Sequence, residues 1–73
     1  MRIEAQLGMR IVYLRKKLGM SQEDLALEAD VNKNYLCDLE NGRRNPTLKI
    51  LEKIANALGI DVSELTKGCK SFW

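Results

Sequence analysis

Four side chains that can form hydrogen bonds lie at a spacing that places them on one face of a helix. They are Lys33, Asn34, Cys37 and Asp38, and residues three to five apart are neighbours on a helix surface. Short polar side chains suit a partner surface rich in donors and acceptors, such as the base edges in the major groove of DNA. A helix that only faces water would more often carry solvating Glu and Lys.

A first short helix precedes this polar face. Ser21 is a good N-cap residue, and Asp24 lies three positions later in an arrangement that resembles a capping box. Asp30 and Val31 then form a turn, with Val31 as an apolar plug. The inner face of the helix is small and apolar, which allows a second helix to cross closely, and it consists of Leu25, Ala26 and Ala29.

The polar face belongs to the second helix of this pair. Asn32 is its candidate N-cap, and Asn41 and Gly42 end it because both tolerate left-handed backbone geometry. Its inner face is formed by Tyr35, Leu36 and Leu39. Two short helices joined by a turn of about three residues predict a helix-turn-helix. The alternative is a helical hairpin that only packs.

Helical spacing continues on both sides of this motif. A first helix is predicted from Arg2 to Leu18, and a fourth helix begins after Thr47. A short fifth helix starts at Asp61 or Ser63. The apolar positions are Ile3, Leu7, Ile11, Leu14 and Leu18 in the first helix, Leu48, Leu51, Ile54, Ala55 and Leu58 in the fourth, and Val62 and Leu65 in the fifth. No segment alternates apolar and polar residues with the period of two that a strand would show. We therefore expect an all-α, compact five-helix bundle at 1–66 and a C-terminal tail at 67–73.

Composition narrows the functional class. The chain has 73 residues, a net charge of +2, two cysteines and no histidine. No apolar run is long enough to span a bilayer, and no secretory segment opens the chain. We therefore expect a cytoplasmic protein that does not associate with a membrane. Cys37 and Cys69 are expected to be reduced thiols and form a poor zinc site. With no phosphate-binding glycine loop and no set of metal ligands, we predict no enzyme, cofactor, metal or small-molecule effector.

Three segments together resemble a known family. LGMRIVYLRKKLGMSQEDLA, NYLCDLENGRRNPTL and LEKIANALGIDVSEL are similar to successive parts of the Cro/C1-type helix-turn-helix domain of phage repressors and their bacterial relatives. The match runs from about Leu7 to Leu65. The small size and the NYLCDLENGRRN stretch look most like controller proteins of restriction-modification systems. One departure is Asp30, which stands where the family usually has Gly.

The resemblance implies a lambda-repressor-like fold and a sequence-specific transcriptional regulator that binds double-stranded DNA. It would act as a homodimer on a palindromic operator. A second hypothesis, from a different class, is an antitoxin-like interaction module that sequesters a protein partner and binds DNA only secondarily.

The resemblance also implies roles for individual residues. In the base-reading positions, Lys33 would donate to guanine, Asn34 would pair with adenine, Asp38 would accept from cytosine, and Cys37 would touch a thymine methyl group. Phosphate contacts would come from Gln22, Asn32, Tyr35, Asn41, Arg43 and Arg44. Three alternatives remain open: Asp38 forms an intrahelical pair with a nearby basic side chain, Cys37 packs half-buried, and the Tyr35 ring belongs to the core.

Two further predictions concern support and assembly. The resemblance implies that Arg15 and Glu40 form an ion pair beneath the recognition helix, with a role in helix placement. A second apolar stripe predicts a dimer interface, consisting of Ile50, Ile54, Ala57, Ile60, Val62 and Leu65; the alternative is that these residues complete a small core. The tail residues Phe72 and Trp73 could pack, fray or contact a partner.

Overall fold

Five α-helices form the protein in a computed structural model that describes residues 1–70. They are α1 (Ile3–Lys17), α2 (Gln22–Ala29), α3 (Lys33–Glu40), α4 (Leu48–Ala57) and α5 (Val62–Leu65). The part of the chain described contains no strand. The all-α five-helix fold is therefore confirmed, and the predicted helix limits are one residue too generous at several ends because flanking cap residues are not helical.

Side-chain caps explain where the last four helices begin. Ser21 and Asp24 form a reciprocal capping box, with hydrogen bonds of 3.0 and 2.9 Å. The Asn32 side chain accepts from two backbone N–H groups at the start of α3. Thr47 and Asp61 cap α4 and α5 in the same way. Each cap satisfies donors that the first helical turn leaves without partners.

The turn between α2 and α3 depends on an unusual backbone conformation. Asp30 has φ = 55°, in the left-handed region. Asp adopts this region more readily than most non-glycine residues, and the backbone N–H of Val31 donates to the carbonyl of Ala26 at 3.0 Å. The predicted turn therefore forms with Asp at a position where glycine would be free of strain.

The core lies where the inner faces of all five helices meet. α1 packs on α3 and α5, α2 packs on α3 and α4, and α4 packs on α5. The core consists of Leu7, Ile11, Leu25, Ala26, Ala29, Leu36, Leu39, Ile54, Ala55, Leu58 and Leu65. The predicted inner positions Leu18 and Leu48 are wrong, since both are more than half exposed. Leu18 is the C-cap of α1, and Leu48 is the first residue of α4. Both residues therefore lie at helix ends, outside the packed centre of the bundle.

Two residues of the predicted dimer interface belong to this core. Ile54 and Leu65 have no exposed surface, so neither can contact a partner directly. The reason is geometric, because α5 folds back onto α4 and each helix covers the other's inner position. The other four predicted residues, Ile50, Ala57, Ile60 and Val62, are partly exposed.

The start of the predicted tail is attached to the bundle. The Gln6 side chain donates to the carbonyl of Lys70 at 2.8 Å and accepts from its N–H at 3.0 Å, and Cys69 packs against the core. Phe72 and Trp73 lie outside the described residues. Among the described residues, no helix has the length and apolar character needed to cross a bilayer.

Candidate DNA-binding surface

The outer face of α3 is polar, and the helix cannot rotate away from this orientation. Leu36 and Leu39 are fully buried beneath it. On the opposite side, Lys33 and Asn34 are exposed, while Cys37 and Asp38 are half-buried. The structure therefore places all four predicted base-reading side chains on the outward side of one helix, and Cys37 is half-buried as one alternative proposed.

A partly buried cluster of polar side chains fixes the C-terminal end of α3 to α1 and α2. Arg15 donates to both carboxylate oxygens of Glu40, from Nε at 2.7 Å and from the second guanidinium nitrogen at 3.1 Å. The side chains are 12% and 5% exposed. The hydrogen bonds from Arg15 to Glu40 raise the pKa of the Arg15 guanidinium, so this guanidinium stays charged. This bidentate geometry fixes both distance and orientation.

Gln22 is the third member of this cluster. Its side-chain amide donates to Oε1 of Glu40 at 3.0 Å, which brings the start of α2 to the same carboxylate. The sequence predicted Gln22 as a phosphate contact, whereas in this structure its amide is turned inward.

Two glycines allow the same end of α3 to approach α1 at backbone distance. A Cβ atom on Gly8 would lie only 2.4 Å from the carbonyl oxygen of Glu40 and 2.7 Å from that of Leu39. A Cβ on Gly42 would lie 3.0 Å from Cα of Ala5, and Gly42 also has φ = 73°. No larger residue fits either contact without a shift of the two segments.

The basic side chains around the outer face of α3 form ion pairs with carboxylates. Lys33 pairs with Glu23 at 3.2 Å. Asp38 pairs with Arg44 at 3.3 Å and with Arg43 at 3.7 Å. Asp38 thus pairs with basic side chains, as its alternative expected, but the pair is not intrahelical as predicted, because Arg43 and Arg44 follow the end of α3.

The remaining predicted phosphate contacts surround α3. The Arg44 guanidinium lies 5.3 Å from the ring centre of Tyr35, and this ring is half-buried against the core. Asn32 caps the start of the helix, and the Asn41 side chain donates to the Cys37 carbonyl at 2.8 Å. Asn32 thus lies at the N-terminal end of α3, and Asn41 and the two arginines follow its C-terminal end; we call this set, with Tyr35, the rim of α3.

Sequence reasoning identified Arg15 as a support from α1 but missed the close backbone approach at Gly8. Gly8 lies within a helix, where glycine is unfavourable by about 0.5–1 kcal/mol relative to alanine. That cost was the available signal that another backbone approaches there. The link from Gln22 to Glu40 had no comparable signal, because the side chain's direction depends on how α2 is set against α3.

Comparison with known proteins identifies the family. The profile of HTH_3, described as Helix-turn-helix, matches residues 11–65, which is most of the chain. The protein belongs to this helix-turn-helix family. It is therefore a DNA-binding transcriptional regulator and not an enzyme, and the predicted Cro/C1-type membership is confirmed.

Individual relatives agree with this assignment. The chain is 45% identical over 58 residues to the immunity repressor protein of Bacillus phage phi105, covering 80% of this chain and 40% of the repressor. It is 44% identical over 64 residues to control protein C.MunI of a Mycoplasma species, covering 86% of each. The crystal structure of the restriction-modification controller protein C.AhdI from Aeromonas hydrophila superimposes with a TM-score of 0.83 at 37% identity, covering 85% of this chain and 94% of that one. The resemblance to controller proteins is thus confirmed.

Proposed function

We propose that the protein is a sequence-specific regulator that binds a palindromic operator as a homodimer, in the manner of a restriction-modification controller protein. In the complex, α3 enters the major groove with the polar face formed by Lys33, Asn34, Cys37 and Asp38 against the bases. As a regulator of DNA it would work in the cytoplasm. The similarity to C.MunI over nearly the whole of both chains supports the controller subclass.

One observation carries the proposal: the polar face belongs to a helix whose position is fixed from behind. Leu36 and Leu39 fix its rotation by full burial, and Glu40 fixes its far end through three hydrogen bonds. Base readout requires side chains held to within a fraction of an ångström of their productive geometry. A helix that served only to pack would not need an outward polar face set so firmly.

The rim supports the docking of the helix on the DNA backbone. Arg43 and Arg44 are exposed beside α3, and such residues position a protein on phosphates without reading sequence. The Arg44 guanidinium lies over the Tyr35 ring. We assign Gln22, Asn32, Tyr35, Asn41, Arg43 and Arg44 to this backbone-contacting set, with Gln22 turning from Glu40 or donating through its second amide hydrogen.

Dimerisation follows from the limited reach of a single helix. Each correct base pair contributes only about 1–3 kcal/mol, so one helix reads too little DNA to select a single site in a genome. A two-fold pair would hold two recognition helices about 34 Å apart, or a multiple of that distance. The partly exposed apolar residues Ile50, Ala57, Ile60 and Val62 form the surface that we propose for the contact between copies.

A single charged substitution tests this surface. Ile50→Glu should convert the dimer to a monomer, because two carboxylates would meet near the two-fold axis in an apolar seam. Leu27→Glu is the matched control, since Leu27 is an 81% exposed apolar residue on α2 that does not belong to the proposed surface. Sedimentation equilibrium measures the assembly and circular dichroism the helix content. A folded Ile50→Glu protein that remains fully dimeric would place the interface elsewhere.

Selection of bound duplexes from a random pool tests the function itself. We expect enrichment of two inverted half-sites whose centres are separated by about one or two helical turns. Enrichment of a single unrepeated half-site would contradict the palindromic operator. A bound pool in which no sequence is enriched over the starting pool would contradict specific binding.

A further inference from the structure

The basic side chains of the proposed DNA surface are occupied by carboxylates of that same surface. The three cations are Lys33, Arg43 and Arg44, and their partners are Glu23 and Asp38, at 3.2 to 3.7 Å. A phosphate therefore competes with a carboxylate for each cation. This competition weakens binding to any DNA on which the pairs persist.

The two carboxylates differ in how easily they lose their cations. The Glu23 side chain is 76% exposed, so water can solvate it once Lys33 leaves. The Asp38 side chain is only 32% exposed, and the proposed docking would press it against base edges. A carboxylate left there without a donor would be desolvated and unpaired, which is unfavourable. Release of Arg43 and Arg44 is thus linked to what Asp38 meets on the DNA.

Cytosine supplies the donor that makes this release favourable. Its N4 amino group projects into the major groove and is a natural partner for an aspartate. With cytosine opposite Asp38, the carboxylate exchanges two guanidinium partners for an amino donor, and both arginines become available to phosphates. With thymine or guanine there, the carboxylate faces acceptor atoms or a methyl group, and releasing the arginines is unfavourable.

We propose, on the basis of the function assigned above, that Asp38 is a specificity residue that couples base reading to phosphate binding. It holds Arg43 and Arg44 in the free protein and releases them most favourably where a cytosine lies opposite it, because adenine places its N7 acceptor beside its amino donor. Glu23 restrains Lys33 in the same way but without a base requirement. Together the two acids lower affinity for non-cognate DNA, and Asp38 restores it at the operator.

Two isosteric variants and one control test the proposal. Asp38→Asn and Glu23→Gln each remove one negative charge from the surface. Glu52→Gln is the matched control, because Glu52 pairs with Lys49 at 3.4 Å on α4, away from α3, and its loss changes the net charge equally. Affinities are measured on a selected operator duplex and a scrambled duplex at several salt concentrations, and each variant is also used to select from a random pool.

Asp38→Asn should bind the scrambled duplex more tightly than Glu52→Gln does. Its ratio of operator to scrambled affinity should fall about fivefold or more. Its salt dependence on scrambled DNA should steepen by up to about two units of slope, since two more cations reach phosphates. The pool it selects should lose its cytosine preference at one position in each half-site. Glu23→Gln should raise affinity for both duplexes by about twofold over the control, with the base preferences unchanged.

The outcomes separate this inference from the function beneath it. If the wild-type protein selects an operator but Asp38→Asn behaves like Glu52→Gln on both duplexes and keeps every base preference, the coupling is overturned and the proposed function stands. If the wild-type protein enriches no sequence, both fail together. Circular dichroism confirms that the variants compared are folded, which the exposure of Glu23 and the near-identical shapes of Asp and Asn lead us to expect.

Discussion

The two sides of α3 both carry ion pairs, but these pairs differ in how far they are exposed to solvent. Its C-terminal end meets α1 through the buried Arg15–Glu40 pair and the backbone contact at Gly8. Its outer face carries ion pairs on the surface, such as Lys33 with Glu23, whose side chains are 53% and 76% exposed. Both sides pair opposite charges at about 3 Å. The pair behind α3 is shielded from water and persists, whereas water and phosphates can replace the partners of the exposed pairs.

The difference shows how a small bundle can combine precision with reversible binding. Breaking a buried pair leaves a charge with neither water nor a partner, typically at a cost of 3–5 kcal/mol. An exposed pair contributes about 0–1 kcal/mol, so phosphates can replace its carboxylate. We therefore expect substitutions behind α3 to change stability, and substitutions on its outer face to change DNA binding.

The largest effect should come from the buried pair. Arg15→Ala should lower the free energy of unfolding by about 3 kcal/mol, because Glu40 would remain buried without its bidentate donor. Arg2→Ala is the exposed control, since Arg2 pairs with Glu4 and is 80% exposed; its effect should be under about 1 kcal/mol. Urea denaturation measures both. An Arg15→Ala protein that unfolds like wild type but loses DNA affinity would make Arg15 a phosphate contact instead.

The next effect concerns the backbone contact behind α3. Gly8→Ala should destabilise the fold by about 1–3 kcal/mol, since the added methyl group would overlap the Glu40 carbonyl and force α1 and α3 apart. Thermal denaturation checks the sign. In an open helix the same substitution would be stabilising by up to about 1 kcal/mol, so any gain in stability would show that the two helices are not in close contact at Gly8.

Much of this arrangement was predictable from the sequence, for local reasons. The start of α2 is predicted by the capping residues Ser21 and Asp24, and the start of α3 by the N-cap Asn32. The buried side of α3 is predicted by the helical spacing of Leu36 and Leu39. These signals depend on neighbours along the chain. The polar outer face could be predicted for the same reason, because it is the complement of the buried one.

What could not be predicted depends on distant segments. Ile54 and Leu65 fit an interface stripe by spacing, but their burial depends on how α5 folds back on α4. Leu48 fits an inner face by spacing, yet it lies at the exposed start of its helix. The pairing of Asp38 with Arg43 and Arg44 depends on the path of the loop after α3, which helical periodicity does not describe.

A smaller effect is expected on the exposed side of α3. Arg43→Ala should leave the unfolding free energy nearly unchanged, since its side chain is 68% exposed. It should weaken binding to the selected operator and reduce the salt dependence there by about one unit of slope, as expected for one lost phosphate contact, with a smaller effect on a scrambled duplex, where Arg43 stays paired with Asp38. Titrations at several salt concentrations measure the slope. An unchanged slope would remove Arg43 from the phosphate-contacting set.

The most direct test of the account is the effect of Asn34→Ala on two duplexes. Asn34 is exposed on the outer face of α3, so its truncation should leave folding intact. We predict that binding to the selected operator weakens by about 1–3 kcal/mol while binding to a scrambled duplex hardly changes. Equal weakening on both duplexes would contradict the claim that the outer face of α3 reads bases.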